Sequence, residues 1–175
     1  MDKLSMNELG RMSSEEFKSA QKKPIIIVLD HVRSLNNVGS AFRTADAFLI
    51  EAIYLCGVTG IPPNKEIEKT ALGASETVNW KYFKTTAEAI TELKNKNYFL
   101  VAVEQTKQAI MLDQFEIPKK ETAFVFGNEV YGVEQNIIEE CDACIEIPQF
   151  GSKHSLNISV CIGIVLWEAI KKPRN

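Results

Sequence analysis

The chain has 175 residues, 45% hydrophobic and 25% charged, with a formal net charge of −3. That length buries a full core in one domain without disulfide or metal staples, and the composition is that of an ordinary soluble globular protein. The mild acidity excludes a nonspecific nucleic-acid coat but not an RNA enzyme, which needs only a local basic surface.

Residues 1 to 21 are polar and charged and contain no apolar signal core. The longest apolar run, Ile158 to Trp167, is too short to span a bilayer, so no membrane partner is expected. Cys56, Cys141, Cys144 and Cys161, without a secretory signal, read as reduced thiols of a cytoplasmic protein.

Residues 1–23 read as a short amphipathic arm in which Ser13 or Ser14 caps a helical turn with Glu16 behind it. The main domain is expected over 24–175. Pro24 opens the run Ile25 to Leu29, which ends at Asp30. A continuous apolar run of this length reads as a strand covered on both faces.

A helix is expected over 37–49, with Asn36 or Asn37 as N-cap, followed by a strand over 52–56 and a Gly- and Pro-rich loop to 63. Then come a helix over 65–72, a strand over 77–83, a helix over 86–94 and strands over 98–103 and 123–126. A helix near 133–139, a strand over 143–147 and a long helix over 155–171 complete the chain. Such alternation means an α/β fold, a mostly parallel sheet flanked by helices on both faces.

Three segments carry candidate chemistry. In Asn37-Val38-Gly39-Ser40-Ala41-Phe42-Arg43, an apolar stripe faces the core while Gly39 and Arg43 lie four apart elsewhere. Glycine there lowers helix propensity but would clear space beside the guanidinium; a surface arginine beside a tolerated glycine fits as well. In Phe126-Gly127-Asn128-Glu129-Val130-Tyr131-Gly132, a strand breaks into a helix at the carboxyl end of the sheet, where α/β folds bind ligands. Gly127 would let backbone face a ligand with Glu129 nearby, or the segment is an ordinary turn with a solvated glutamate.

The third segment, Ile147 to Val160, carries Ser155 and Asn157 to the mouth of the apolar last helix. Polar side chains there cost free energy unless partnered. Ser155, Ser159 and Gly163 repeat every four residues, a small-residue face suited to close helix approach within the fold or at a subunit contact. Cys141-Asp142-Ala143-Cys144 has redox spacing without a second pair or a helix start, and with two histidines in the chain no metal site is expected. His154, beside Lys153, is better suited to a phosphate than to a metal.

In this order and at these separations the segments resemble the three motifs of the SpoU (TrmH-like) RNA 2′-O-ribose methyltransferases of the SPOUT superfamily. The first motif matches Asn37, Gly39 and Arg43; the second Gly127, Glu129 and Gly132; the third Ile147, Pro148, Ser155, Leu156, Asn157 and Ser159. The resemblance runs from about Pro24 to the C-terminus. It implies a C-terminal deep trefoil knot, a rare exception to unknotted topology, an obligate homodimer, and S-adenosylmethionine held in bent form by the knot loops.

It also implies Val103, Gly127, Ile147, Ser155 and Leu156 as cofactor contacts. Arg43, Asn37, Glu129, Ser155 and Asn157 become the catalytic set, with RNA as substrate, transfer RNA ahead of ribosomal RNA. Two departures stand out: Val130 where the family often has glycine, and no separate N-terminal RNA-binding domain. The competing readings are a non-catalytic RNA-binding protein of the same fold and an unrelated flavodoxin-like cofactor binder.

Overall fold

The structure is a computed structural model that describes residues 2–5 and 7–171; the last four residues of the expected domain lie outside that range. Helix α1 (Ser14–Ser19) opens on a capping box in which Glu16 N–H donates to Ser13 Oγ at 3.2 Å and Ser13 N–H donates to the Glu16 carboxylate at 2.7 Å. Its Phe17 is buried in the same core as the sheet.

The remaining elements follow in order: β1 (Lys23–Asp30), α2 (Leu35–Ala47), β2 (Ile50–Cys56), α3 (Lys65–Ala71), α4 (Ala74–Thr77), β3 (Asn79–Phe83) and α5 (Thr86–Asn95). Then come β4 (Phe99–Val103), β5 (Ile110–Met111), β6 (Thr122–Phe126), α6 (Gln135–Glu139), β7 (Ala143–Glu146) and α7 (Ile158–Lys171). The strands form a single parallel sheet in the order β3-β2-β1-β6-β4-β7-β5.

The run Ile25–Leu29 explains the architecture. Side chains alternate between the faces of a strand, so Ile25, Ile27 and Leu29 join α2, α3 and α7 in one core, while Ile26 and Val28 join α5 and α6 in the other. Every side chain in the run is buried, and that is why it carries no polar alternation.

Several boundaries differ from the sequence reading, three of them for evident local reasons. Helix α2 starts two residues early because Ser34, extended, accepts the Asn37 N–H at 3.3 Å and serves as N-cap. The strand expected from Thr77 begins at Asn79, since a left-handed turn at Leu72 and Gly73 ends α3 and starts α4. Thr77 Oγ1 is then committed to the Asp46 carboxylate at 2.8 Å.

The last helix begins at Ile158, not Ser155, because Asn157 caps it: its side-chain oxygen accepts Ser159 N–H at 2.8 Å and its carbonyl accepts those of Val160 and Cys161. The two-residue edge strand β5 was not anticipated. Among the described residues, no helix is long and apolar enough to cross a membrane.

Candidate active site

The three sequence segments meet at the carboxyl edge of the sheet. Glu129, on the loop after β6, reaches the start of α2, where its carboxylate accepts N–H groups of Arg33, Ser34 and the Asn37 carboxamide, each at 3.1 Å. The opposite atom of that carboxamide, Asn37 Oδ1, accepts from Asn157 Nδ2 at 3.1 Å. Asn157 Oδ1 in turn accepts from Ser159. One directional chain, Ser159–Asn157–Asn37–Glu129, therefore ties together the loop before α7, the first turn of α2 and the loop after β6.

Each amide orientation is fixed by its neighbours, so the chain has one polarity. Partial burial opposes ionisation of Glu129. The backbone N–H groups of Arg33, Glu129 itself and Ser34, with the Asn37 amide, outweigh it and hold the carboxyl below the usual carboxylate range.

Beside this chain lies a cleft of about 520 Å³, a size typical of small-molecule sites. Val103, Gly127, Ile147, Ser155 and Leu156 all line it, with Glu104, Glu129 and Asn157. Loops after β4, β6 and β7 form its walls, at the strand ends where α/β sheets bind ligands.

Asn128 shapes the wall after β6: its Nδ2 donates to the His31 carbonyl at 2.7 Å, and its Oδ1 accepts Val130 N–H at 2.8 Å. Gly127 is needed for a reason beyond the one its sequence position suggested. A Cβ there would fall 2.0 Å from Gly132 C and 2.1 Å from Val133 N, so the glycine lets the loop close on itself while its backbone lines the cleft. Val130 is solvent-exposed.

Gly39 departs from its expected role. It is buried, and a Cβ would lie 2.1 Å from Thr70 Oγ1 and 2.2 Å from the Ile67 carbonyl, so the glycine seats α2 on α3 and clears nothing beside Arg43. Arg43 is exposed and stands six residues beyond Asn37, roughly 9 Å along α2 and on another side of it. Within the protomer the Asn157 side chain meets Asn37 and Ser159, not the arginine. Ser155 is exposed, lines the cleft and lies outside the polar chain.

His154 and Lys153 are exposed on the loop after β7. Burial pushes the Cys141 thiol up to about 12, which makes it a poor nucleophile. Among the described residues no group of three or more His, Cys, Asp or Glu could hold a metal. The sequence reading missed Glu104, Gln105 and Asn128 as cleft residues; an acidic residue immediately after a buried strand was the available signal for Glu104.

An all-parallel sheet with a ligand-sized cleft at its carboxyl edge, beside a carboxamide–carboxylate chain, defines an α/β protein with room for a small molecule next to a polar surface. Residues 24–167 match the SpoU rRNA Methylase family, and the chain belongs to that family.

It is 30% identical to a 23S rRNA (guanosine-2′-O-)-methyltransferase of Neisseria meningitidis serogroup B over 151 residues, which are 86% of this chain and 60% of that protein. It is also 30% identical over 154 residues to the tRNA (guanosine(18)-2′-O)-methyltransferase of Aquifex aeolicus, covering 88% of this chain and 72% of the relative. The crystal structure of an AdoMet-bound rRNA methyltransferase from Sinorhizobium meliloti superposes with a TM-score of 0.81 at 27% identity, over 89% of this chain and 59% of that one. The chain thus spans well under two thirds of the first of these relatives.

Proposed function

We propose that the protein is an S-adenosylmethionine-dependent RNA 2′-O-ribose methyltransferase that works as a cytoplasmic homodimer, with transfer RNA as its substrate. The observation that carries this reading is the Asn157–Asn37–Glu129 chain beside the cleft. It gathers residues from all three family motifs at one point.

The cleft suits the cofactor. Val103, Ile147 and Leu156 offer apolar wall, and Glu129 offers negative charge to a sulfonium and an ammonium. Residues holding the cofactor are then Val103, Gly127, Ile147, Ser155 and Leu156. When bound, it supplies an electrophilic methyl group.

Arg43 orients the ribose 2′-hydroxyl and stabilises the charge that develops on its oxygen. Being charged at neutral pH, a guanidinium is a poor base, so Arg43 positions the hydroxyl, and the proton lost as the methyl arrives is relayed past a neighbouring RNA phosphate to solvent water. Asn37, Glu129 and Asn157 set the surface on which the ribose sits, with Ser155 at its cofactor side. Arg43 is exposed and is not among the residues lining the cleft of its own protomer, so in this reading it serves the cleft of a second one.

The second copy has a face to occupy. Val160, Ile164 and Trp167 follow one another along α7 and stay 47%, 37% and 57% exposed, an apolar stripe suited to a subunit contact. Trp167→Asp should yield monomers in sedimentation and lose methyl transfer with them. The return of the chain from β7, across β4 and β6, to pack α7 near α2 supports a knot threaded there.

The decisive assay incubates tRNA and rRNA transcripts with S-adenosylmethionine and maps 2′-O-methyl nucleotides by mass. Methylation of tRNA is expected, rRNA methylation alone would move the substrate to the alternative, and transfer to neither removes the reading. Arg43→Ala should lower the rate about 100- to 1,000-fold while calorimetry shows cofactor binding unchanged.

A further inference from the structure

Two adjacent residues outside the three motifs hold the cleft together. Glu104 follows β4 directly, and its half-buried carboxylate accepts the Val133 N–H at 2.9 Å and the Gln105 N–H at 2.8 Å. The first bond reaches across to the loop after β6. Gln105 Nε2 donates to the His154 carbonyl at 3.0 Å and so reaches the loop after β7. One dipeptide therefore links all three walls of the cleft.

The fit around Glu104 is tight. A Cβ on Gly132 would stand 2.0 Å from Glu104 Oε2, and Gly132 also has φ +70°, a conformation that favours glycine. The glycine that ends the second motif is thus favoured by its backbone, and the Glu104 carboxylate occupies the space a Cβ would take. Asn128 and Gly132 exchange two backbone hydrogen bonds at 2.9 Å, so a wall fixed at Gly132–Val133 is fixed as a whole, Glu129 included.

We infer that Glu104 and Gln105 are positioning residues that preset the cofactor cleft, by holding the Val133 amide and the His154 carbonyl in the geometry the ligand meets. The inference rests on the reading that S-adenosylmethionine occupies this cleft. Preorganised walls lower the ordering cost of binding, so the effect should appear in cofactor affinity more than in turnover. A carboxylate with two amide donors is an acceptor on both sides, and a carboxamide cannot reproduce it. Conversely, Gln105→Glu keeps the shape but turns a donor into an acceptor facing a carbonyl oxygen.

The test uses the full-length protein and its near-isosteric variants Glu104→Gln and Gln105→Glu, with S-adenosylmethionine in calorimetry and amide hydrogen exchange on the ligand-free form. Each variant should weaken cofactor binding about tenfold, as one hydrogen bond between the walls is lost, and raise the KM for cofactor with kcat nearly unchanged. Exchange should quicken at Val133 in the first variant and across residues 153–156 in the second, with the thermal midpoint little moved. Wild-type affinity and exchange in both variants would overturn the inference while leaving the cofactor reading intact. A wild-type protein that binds no S-adenosylmethionine overturns that reading instead, and exchange still reports whether the two residues hold the walls. A variant with a collapsed thermal midpoint assigns the pair to global stability and also overturns the inference.

Discussion

Helices α2 and α7 pack into the same core, and each carries one glycine, with opposite fates. Gly39 in α2 is pressed against the backbone of α3, where a Cβ would meet the Ile67 carbonyl at 2.2 Å. Gly163 in α7 has nothing within 4 Å of the place its Cβ would take. Spacing along the sequence suggested an open Gly39 beside Arg43, and on α7 a small-residue face for close approach within the fold or at a subunit contact; within the protomer Gly39 is packed and Gly163 open. A glycine's role is set by what lies opposite it, and its own helix does not reveal that.

Substitution at these positions should separate the two helices. Gly39→Ala is expected to cost about 1–3 kcal/mol in urea unfolding, because overpacking against α3 exceeds the propensity gain of up to about 1 kcal/mol; equal or higher stability would mean that α3 yields. Asn157→Ala removes the cap of α7 and should cost about 1 kcal/mol, together with methyl transfer, since Asn37 loses the donor that orients it. Gly163→Ala should instead stabilise the isolated protomer by roughly 0.5–1 kcal/mol. At concentrations where the protein is dimeric, sedimentation will show whether a partner helix uses that open space, as weaker association in the variant.

The smallest effect concerns acid. The folded Glu129 carboxyl is held below its ordinary value, so its contribution is complete above the unfolded value of about 4.3 and disappears as pH falls through the lower folded one. The N-terminal turn of α2 should loosen in that window by circular dichroism or exchange, and Glu129→Gln should flatten the dependence.

Much of the fold was legible in apolar runs. Ile25–Leu29 read as a strand covered on both faces, since such burial leaves no room for polar alternation, and 98–103 and 123–126 read as further strands of a mostly parallel sheet; strands form at all three. The two-residue β5 was not legible, because Ile110–Met111 is too short to show any period. The cap of α2, expected at Asn36 or Asn37, falls at Ser34 because several polar residues in a row are each competent, and tertiary contacts decide among them. Asn37 is free to join Asn157 and Glu129 only because Ser34 caps α2 in its place. The motif residues were readable by type, whereas the wall contacts of Glu104 and Gln105 depend on loops 29 and 49 positions away in the chain.

The Asn157–Asn37 hydrogen bond joins residues 120 positions apart. Contacts of such separation close only after most of the chain has lost its freedom, so the site is among the last features to form during folding. Upon dilution from denaturant, helical signal should recover before cofactor binding does. A partly folded chain would then carry every motif residue yet offer no assembled surface to RNA, which makes the polar chain a checkpoint of maturation as well as part of the site.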